Sequence, residues 1–295
     1  MKIGVQLPEI EYELSWPELR EIARVAEQVG LDSIWLGDHL LYDLPGGRRG
    51  PWECWSMLAA LAAVTERVQL GPFVAALPFH NPAILAKKAA AVDEISGGRL
   101  VFGVGAGWNR FEFDAFGLPY ERRVDRFAEA FTIVRTLLTE GVIDFDGEFY
   151  TLRECELLPR SSRPGGPPLM VGSIGPRMLT LTLPHVQSWN AWYEDYENDP
   201  TQLGALLATI DAACEKVGRP PEEVEKTVAV YIGFPEGPGR RTGGNAWTGP
   251  AEEIARQLGE VGAAGVDHVQ AVLDPIVPAT VEKLGEIAAL HKGLR

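Results

Sequence analysis

PLMVGSIGPRML, residues 168–179, holds the three parts of one repeating unit. A short apolar run, Leu169-Met170-Val171, stops at Gly172-Ser173-Ile174-Gly175, and Pro176-Arg177 then opens a helix. Proline suits the first helical turn because its missing N–H would have had no partner there. Glycines let such a turn fold tightly and bring backbone N–H groups close to a ligand. The unpaired N–H groups and positive dipole end of a helix favour an anion, most often a phosphate, to which Ser173 adds a hydroxyl and Arg177 a guanidinium. Read alone, the same turn is equally a plain strand-to-helix connection, and the rest of the chain decides its weight.

Outward from this unit the alternation runs the length of the chain. Ile3–Leu7, closed by Pro8, predicts a first buried strand. From Trp16 to Val29, the residues Leu19, Ile22, Ala23, Ala26 and Val29 recur at helical spacing behind Ser15 as N-cap, with Pro17 in the first turn and Gly30 as terminator. Ser33–Gly37 predicts strand two, Glu53–Thr65 a helix, and Val68–Leu77 strand three. A helix follows from Asn81-Pro82 to Ile95, then strand four at Leu100–Val104 and a helix at Val124–Leu138. Beyond strand five, Leu169–Val171, and its helix from Pro176, strand six spans Val186–Trp192 and helix six Gln202–Val217. Strand seven is Lys226–Gly233, helix seven Pro250–Ala263, strand eight Val266–Leu273, and the last helix Pro278–His291. Two connections are long: GAGWNRFEFDAFGLPYERR after strand four, and Gly141–Pro167, where Val142–Tyr150 predicts a hairpin turning at Asp146-Gly147. Loops of that size are uncommon unless functional. Eight apolar strands alternating with helices predict a single α/β domain over residues 1–295, a closed parallel (β/α)8 TIM barrel with insertions after strand 4, rather than an open doubly wound sheet. Closure places functional groups at the carboxyl ends of the strands.

Composition narrows the class. With 46% hydrophobic and 23% charged among 295 residues, the chain is ordinary globular material. A net charge of -14 argues against a nucleic-acid or anionic-membrane partner. Cys54, Cys155 and Cys214 are odd in number and lack CxxC spacing, which predicts reduced thiols rather than disulfides or zinc. No run approaches the roughly 18 apolar residues of a membrane span, and MKIGVQLPEI lacks the apolar core of a leader. The expectation is a soluble cytoplasmic protein acting on a small molecule.

At the predicted strand ends, Asp38-His39 follows strand two, a pair able to accept a hydrogen bond and to shuttle a proton near neutral pH. A loop histidine bonded to backbone is the plain alternative. His80 reads as a helix-entry residue beside Asn81-Pro82, and His185, His268 and His291 are weaker candidates. No HxxxH or histidine–carboxylate spacing suggests a metal, and none is assigned. Gly71–Ala76 is small and apolar, a floor for a flat ring. Gly105-Ala106-Gly107-Trp108-Asn109 after strand four permits close approach, with Trp108 and Asn109 placed to meet a ring edge or substrate and Glu112 shortly beyond. It is no dinucleotide fingerprint, since Arg110 stands where the third glycine is needed. Trp52, Trp55, Trp189 and Trp192 are candidate aromatic walls, although tryptophans in such runs are more often core. Among the tryptophans, Trp52, Trp108 and Trp189 are taken as substrate contacts. Glu53 and Glu112 show no spacing typical of a paired-carboxylate hydrolase.

MKIGVQLPE, GLDSIWLGDHL, TERVQLGPFV, NPAILAKKAAAVDEISGGRLVFGVGAGWN, FDAFG and GSIGPRML follow one another over about the first 180 residues. Together they resemble the bacterial luciferase-like flavin or deazaflavin oxidoreductases. Asp-His after strand two and GWN after strand four are most similar to members that use the deazaflavin coenzyme F420 rather than FMN. The resemblance implies that Gly172, Ser173, Gly175, Pro176, Arg177 and Met178 hold the coenzyme phosphate. It implies that Asp38 and His39 lie against the isoalloxazine-like ring as the catalytic pair, with His39 as proton donor or acceptor. It further implies a non-prolyl cis peptide at Phe73-Val74 beneath the ring, and contact of Asn109 with the coenzyme. Some deazaflavin dehydrogenases carry a glutamate directly after the strand-four glycines, where this chain has Trp108, so neither an acid role nor a sugar-phosphate substrate carries over. The implied function is hydride transfer between F420 and a small organic substrate. The alternatives are an FMN-dependent luciferase-like monooxygenase using O2, and a flavin- or deazaflavin-binding protein without turnover. Gly105–Pro167 and Pro235–Thr248 are expected to shape the substrate site, and a homodimer through barrel helices fits the family habit.

Overall fold

Leu19, Ile22, Ala23, Val25 and Ala26 are all buried along one side of the helix Trp16–Gln28, whose ends are written in its flanks. The Ser15 N–H donates to the Glu18 carboxylate at 2.8 Å, Pro17 lies in the first turn, and Gly30 turns the chain out with φ of 83°. Such local rules recur through the computed structural model, which describes residues 1–235 and 245–293.

The chain forms two compact units. The first comprises Met1–Trp35, Arg67–Gln69 and the chain from Met170 onward. In it, parallel strands lie side by side in the order 33–36, 2–6, 268–274, 225–233, 188–191 and 169–172. Gly4 pairs with Ser33 on one side and Gln270 on the other, a close approach that a side chain at Gly4 would block. Helices Trp16–Gln28, Pro176–Thr182, Leu203–Lys216 and Ala251–Ala263 carry the crossovers that parallel pairing demands. On one face of these strands Ile3, Val5, Val228, Val230, Val269 and Ala271 are fully buried. The alternate positions, on the opposite face, carry polar side chains that hydrogen-bond one another. Asn190 Nδ2 donates to Thr227 Oγ1 at 2.8 Å and to Gln270 Oε1 at 2.9 Å, while Ser33 Oγ lies 2.8 Å from His268 Nε2 and accepts the Trp35 indole N–H at 2.7 Å.

The second unit is Leu36–Glu66 with Leu70–Leu169. Its strand Ala75–Ala76 runs parallel to Phe102–Gly105, and Leu70 bridges Leu100. Helices Cys54–Val64 and Pro82–Ile95 are capped by the Glu53 carboxylate and the Asn81 side chain, each accepting two backbone N–H groups. Buried Asp93 accepts hydrogen bonds from Ser161 Oγ at 2.6 Å and Arg163 Nη2 at 2.9 Å, which ties the long 157–168 segment to the second of these helices.

Along the chain, eight strand positions alternate with helices among the described residues, but several local expectations need correction. Strand three is not continuous over Val68–Leu77: it runs Gln69–Pro72, breaks at the Phe73–Val74 cis peptide, resumes at Ala75–Ala76 and ends in a 3-10 turn, Leu77–Phe79. The hairpin pairs Val142–Asp146 with Thr151–Glu156, so its second arm begins only after Tyr150. The loop after strand two contains a further hairpin, Tyr42–Leu44 with Gly47–Arg49, and the loop after strand four a short helix, Arg110–Ala115. Of the expected specificity segment Pro235–Thr248, residues 236–244 lie outside the described residues. Trp247 is buried and bridges Ile232.

Candidate active site

Asp38 and His39 are consecutive, yet they turn to different partners. The strand Ser33–Leu36 delivers the chain to Gly37, and the Leu36 carbonyl accepts the Phe73 N–H at 2.6 Å, which brings the 73–76 segment alongside. Asp38 is buried. Its Oδ2 accepts the Ala76 N–H at 3.0 Å and lies 2.7 Å from His80 Nε2. His80 is held there because Asn81 caps the next helix, accepting the Ala83 and Ile84 N–H groups at 3.1 Å. Asp38 thus steadies the stretch just after the cis peptide Phe73–Val74, at the position the family resemblance implies for that bond.

His39 faces the other way. Its Nδ1 lies 2.9 Å from Glu112 Oε1, and Glu112 Oε2 accepts the backbone N–H groups of Leu40 at 2.5 Å and Leu41 at 3.4 Å. The Glu112 side chain is 0% exposed. Burial pushes its carboxyl up, but hydrogen bonds and charge from His39, the Leu40 N–H and Asn109 outweigh that and hold it below the ordinary carboxylate range. Asn109 precedes the Arg110–Ala115 helix and donates through Nδ2 to the Leu41 carbonyl at 3.4 Å. Around His39 stand the Tyr42 ring, centroids 4.7 Å apart, and the Trp108 indole at 5.8 Å. Trp108 is 64% exposed and Trp52 56%.

In the other unit, Leu169–Gly172 leads through Ser173 and Ile174 to Gly175, the N-cap of Pro176–Thr182. Ser173 Oγ accepts the Gly175 N–H at 3.1 Å, and the first N–H groups of the short helix have no partner within it. Gly172, Ser173 and Gly175 are partly exposed, Pro176 and Arg177 are exposed, and no carboxylate occurs between Gly172 and Met178. The Met178 side chain is buried, so what it offers an anion is backbone. Trp189 corrects the expectation of a substrate wall. It is 0% exposed, and its indole N–H donates to the Ser173 carbonyl at 2.7 Å, bracing the turn from beneath.

The sequence reading named Glu112 after Asn109 and His80 as a helix-entry residue but gave neither its partner, His39 and Asp38 respectively, and it did not single out Tyr42. Glu112 is 73 residues from His39, and no motif joins them. The hint in the sequence was a glutamate between two phenylalanines, Phe111 and Phe113, three positions after Asn109. Among the described residues no cluster of His, Cys, Asp and Glu is arranged to hold a metal, and no helix is long and apolar enough to cross a membrane.

Residues 2–236 match the luciferase-like monooxygenase family, and the chain belongs to it. It is 34% identical over 183 residues to the 5,10-methylenetetrahydromethanopterin reductase of Archaeoglobus fulgidus, covering 61% of this chain and 50% of that protein. It is 34% identical over 163 residues to the F420-dependent glucose-6-phosphate dehydrogenase of Amycolatopsis mediterranei, covering 54% and 48%. The chain spans about half the length of these curated relatives. A solved F420-dependent secondary alcohol dehydrogenase, in complex with an F420–acetone adduct, superposes with a TM-score of 0.83 at 20% identity over 98% of both chains. The fold is therefore the luciferase-like (β/α)8 TIM barrel.

Proposed function

We propose that this protein is an oxidoreductase that transfers a hydride between the deazaflavin coenzyme F420 and a small organic substrate, with His39 moving the accompanying proton. The observation that carries the reading is His39 itself: a partly exposed imidazole backed by a buried carboxylate and ringed by Tyr42 and Trp108. F420-dependent relatives in the same family support the choice of coenzyme.

Each unit by itself carries residues that suit one part of such a coenzyme. The Ser173 hydroxyl, the Arg177 guanidinium and the N–H groups that follow Pro176 at the helix start suit a phosphate, with no carboxylate between Gly172 and Met178. Phe73, Val74 and the small Ala75 and Ala76 suit one face of a flat ring, with Asp38 holding that segment through the Ala76 N–H. When bound, a deazaflavin supplies a carbon that accepts or gives up a hydride. His39 then takes the proton of a substrate hydroxyl as its carbon is oxidised, or returns one to a carbonyl oxygen as it is reduced, which balances the exchange. Trp52 and Trp108 would cover the substrate and keep water from it.

An FMN-dependent monooxygenase is the second reading, favoured by the family's other activity. Titration of the purified protein with F420 and with FMN, followed by ring fluorescence, separates the two, and oxygen consumption during turnover checks the result. F420 binding with no oxygen uptake is expected; tight FMN binding with oxygen uptake would overturn the proposal. Turnover should fall on the order of 10²-fold or more in His39→Ala with little change in coenzyme affinity, whereas Arg177→Ala should weaken binding. Equal turnover in His39→Ala, or unchanged affinity in Arg177→Ala, refutes the corresponding role.

A further inference from the structure

We propose that Glu112 is a positioning residue that holds the neutral His39 imidazole as its Nδ1–H tautomer, so that Nε2 is the nitrogen that exchanges the proton. The tautomer follows from geometry in this chain alone; only its consequence for turnover rests on the function proposed above.

An ionised carboxylate accepts hydrogen bonds and donates none. Glu112 is fully buried, and its two oxygens divide the work: Oε2 takes the Leu40 and Leu41 N–H groups, and Oε1 lies 2.9 Å from His39 Nδ1. The imidazole nitrogen facing Oε1 must therefore carry a proton, and in the neutral ring the lone pair then sits on Nε2. Asn109 adds a hydrogen bond to the same carboxylate. Asp38, one residue before His39, directs Oδ2 to the Ala76 N–H and to His80, while Tyr42 and Trp108 meet His39 as ring neighbours. By gripping the N–H groups of residues 40 and 41, the same carboxylate also fixes the backbone on which His39 stands. This is the logic by which a buried acid orients a catalytic histidine in hydrolytic triads, here without a nucleophile.

Glu112→Gln is the discriminating change because it preserves shape. A primary amide has one oxygen. If that oxygen serves the Leu40 N–H, the amide nitrogen faces Nδ1, which must then accept, and the imidazole proton moves to Nε2. The experiment is long-range proton–nitrogen NMR on protein labelled at the histidine ring nitrogens, without coenzyme and with the His39 ring neutral. Wild type should show a protonated Nδ1 and an unprotonated Nε2, and Glu112→Gln the reverse. Glu112→Asp, which keeps the charge, should retain the wild-type tautomer.

In turnover, Glu112→Gln should lower kcat on the order of 10²-fold or more and leave coenzyme affinity within about twofold. A wild-type His39 protonated on Nε2 overturns the proposal, as does a Glu112→Gln protein with unchanged tautomer. Should Glu112→Gln fail to fold, the wild-type spectrum decides by itself. If neither F420 nor FMN binds while the tautomer is as stated, the functional reading falls and the role of Glu112 stands.

Discussion

His268 gives the most direct test of the physical reasoning, because its environment converts into a pH dependence with a definite sign. The side chain is buried in the first unit, with Nε2 2.8 Å from Ser33 Oγ, a hydroxyl that also accepts the Trp35 indole N–H. Burial, and to a smaller degree the nearby positive charges of Lys2 and the N-terminus, push its pKa down from 6.5 to about 3. A depressed pKa means that the folded chain refuses the proton that the unfolded chain accepts. The stabilisation is therefore complete above pH 6.5 and is lost progressively as pH falls toward 3. At about 1.4 kcal/mol per pH unit over this window, lowering the pH from 7 to 5 should cost about 2 kcal/mol through this one group. Carboxylates titrate as well, so the measurement is a difference. Urea unfolding at both pH values would compare wild type with His268→Gln, which stays neutral and keeps a hydrogen-bonding end. Wild type should lose about 2 kcal/mol more than the variant. Parallel losses in the two proteins would refute the buried neutral imidazole.

Other consequences follow from close packing and buried charge. Asp93→Ala removes the carboxylate that holds Ser161 and Arg163, and should cost about 3 kcal/mol, the low end for a broken buried pair because Arg163 keeps partial access to water; a shift below about 1 kcal/mol in the urea midpoint analysis would show the tether to be idle. Gly4→Ala would drive a methyl into Ser33 Oγ and to 2.8 Å from the Ser33 carbonyl oxygen, costing about 1–3 kcal/mol in thermal unfolding. Gly259→Ala is its counterpart: inside the helix Ala251–Ala263, with nothing within 4 Å of the new methyl, it should raise stability by about 0.5–1 kcal/mol. Equal behaviour of the two glycines would contradict the packing argument.

What the sequence by itself determined is local. Helix starts at Ser15, Glu53 and Asn81, the apolar face from Leu19 to Ala26, and the strand–turn–helix at 169–182 follow from spacing and from the chemistry of caps, because each depends on residues a few positions apart. The order of strands and helices, and with it the barrel class, follows from the same periodicity. The broken third strand was misread because a cis peptide leaves no trace in hydrophobic pattern. Only the tertiary structure decided what the site residues do. Adjacency suggested that Asp38 and His39 act as a pair, whereas successive residues of an extended chain point apart, one toward His80 and the 73–76 segment and the other toward Glu112. Partners 42 and 73 residues away are chosen by which strands and loops come to lie side by side, and that is settled by burial of the whole core rather than by any short run of sequence.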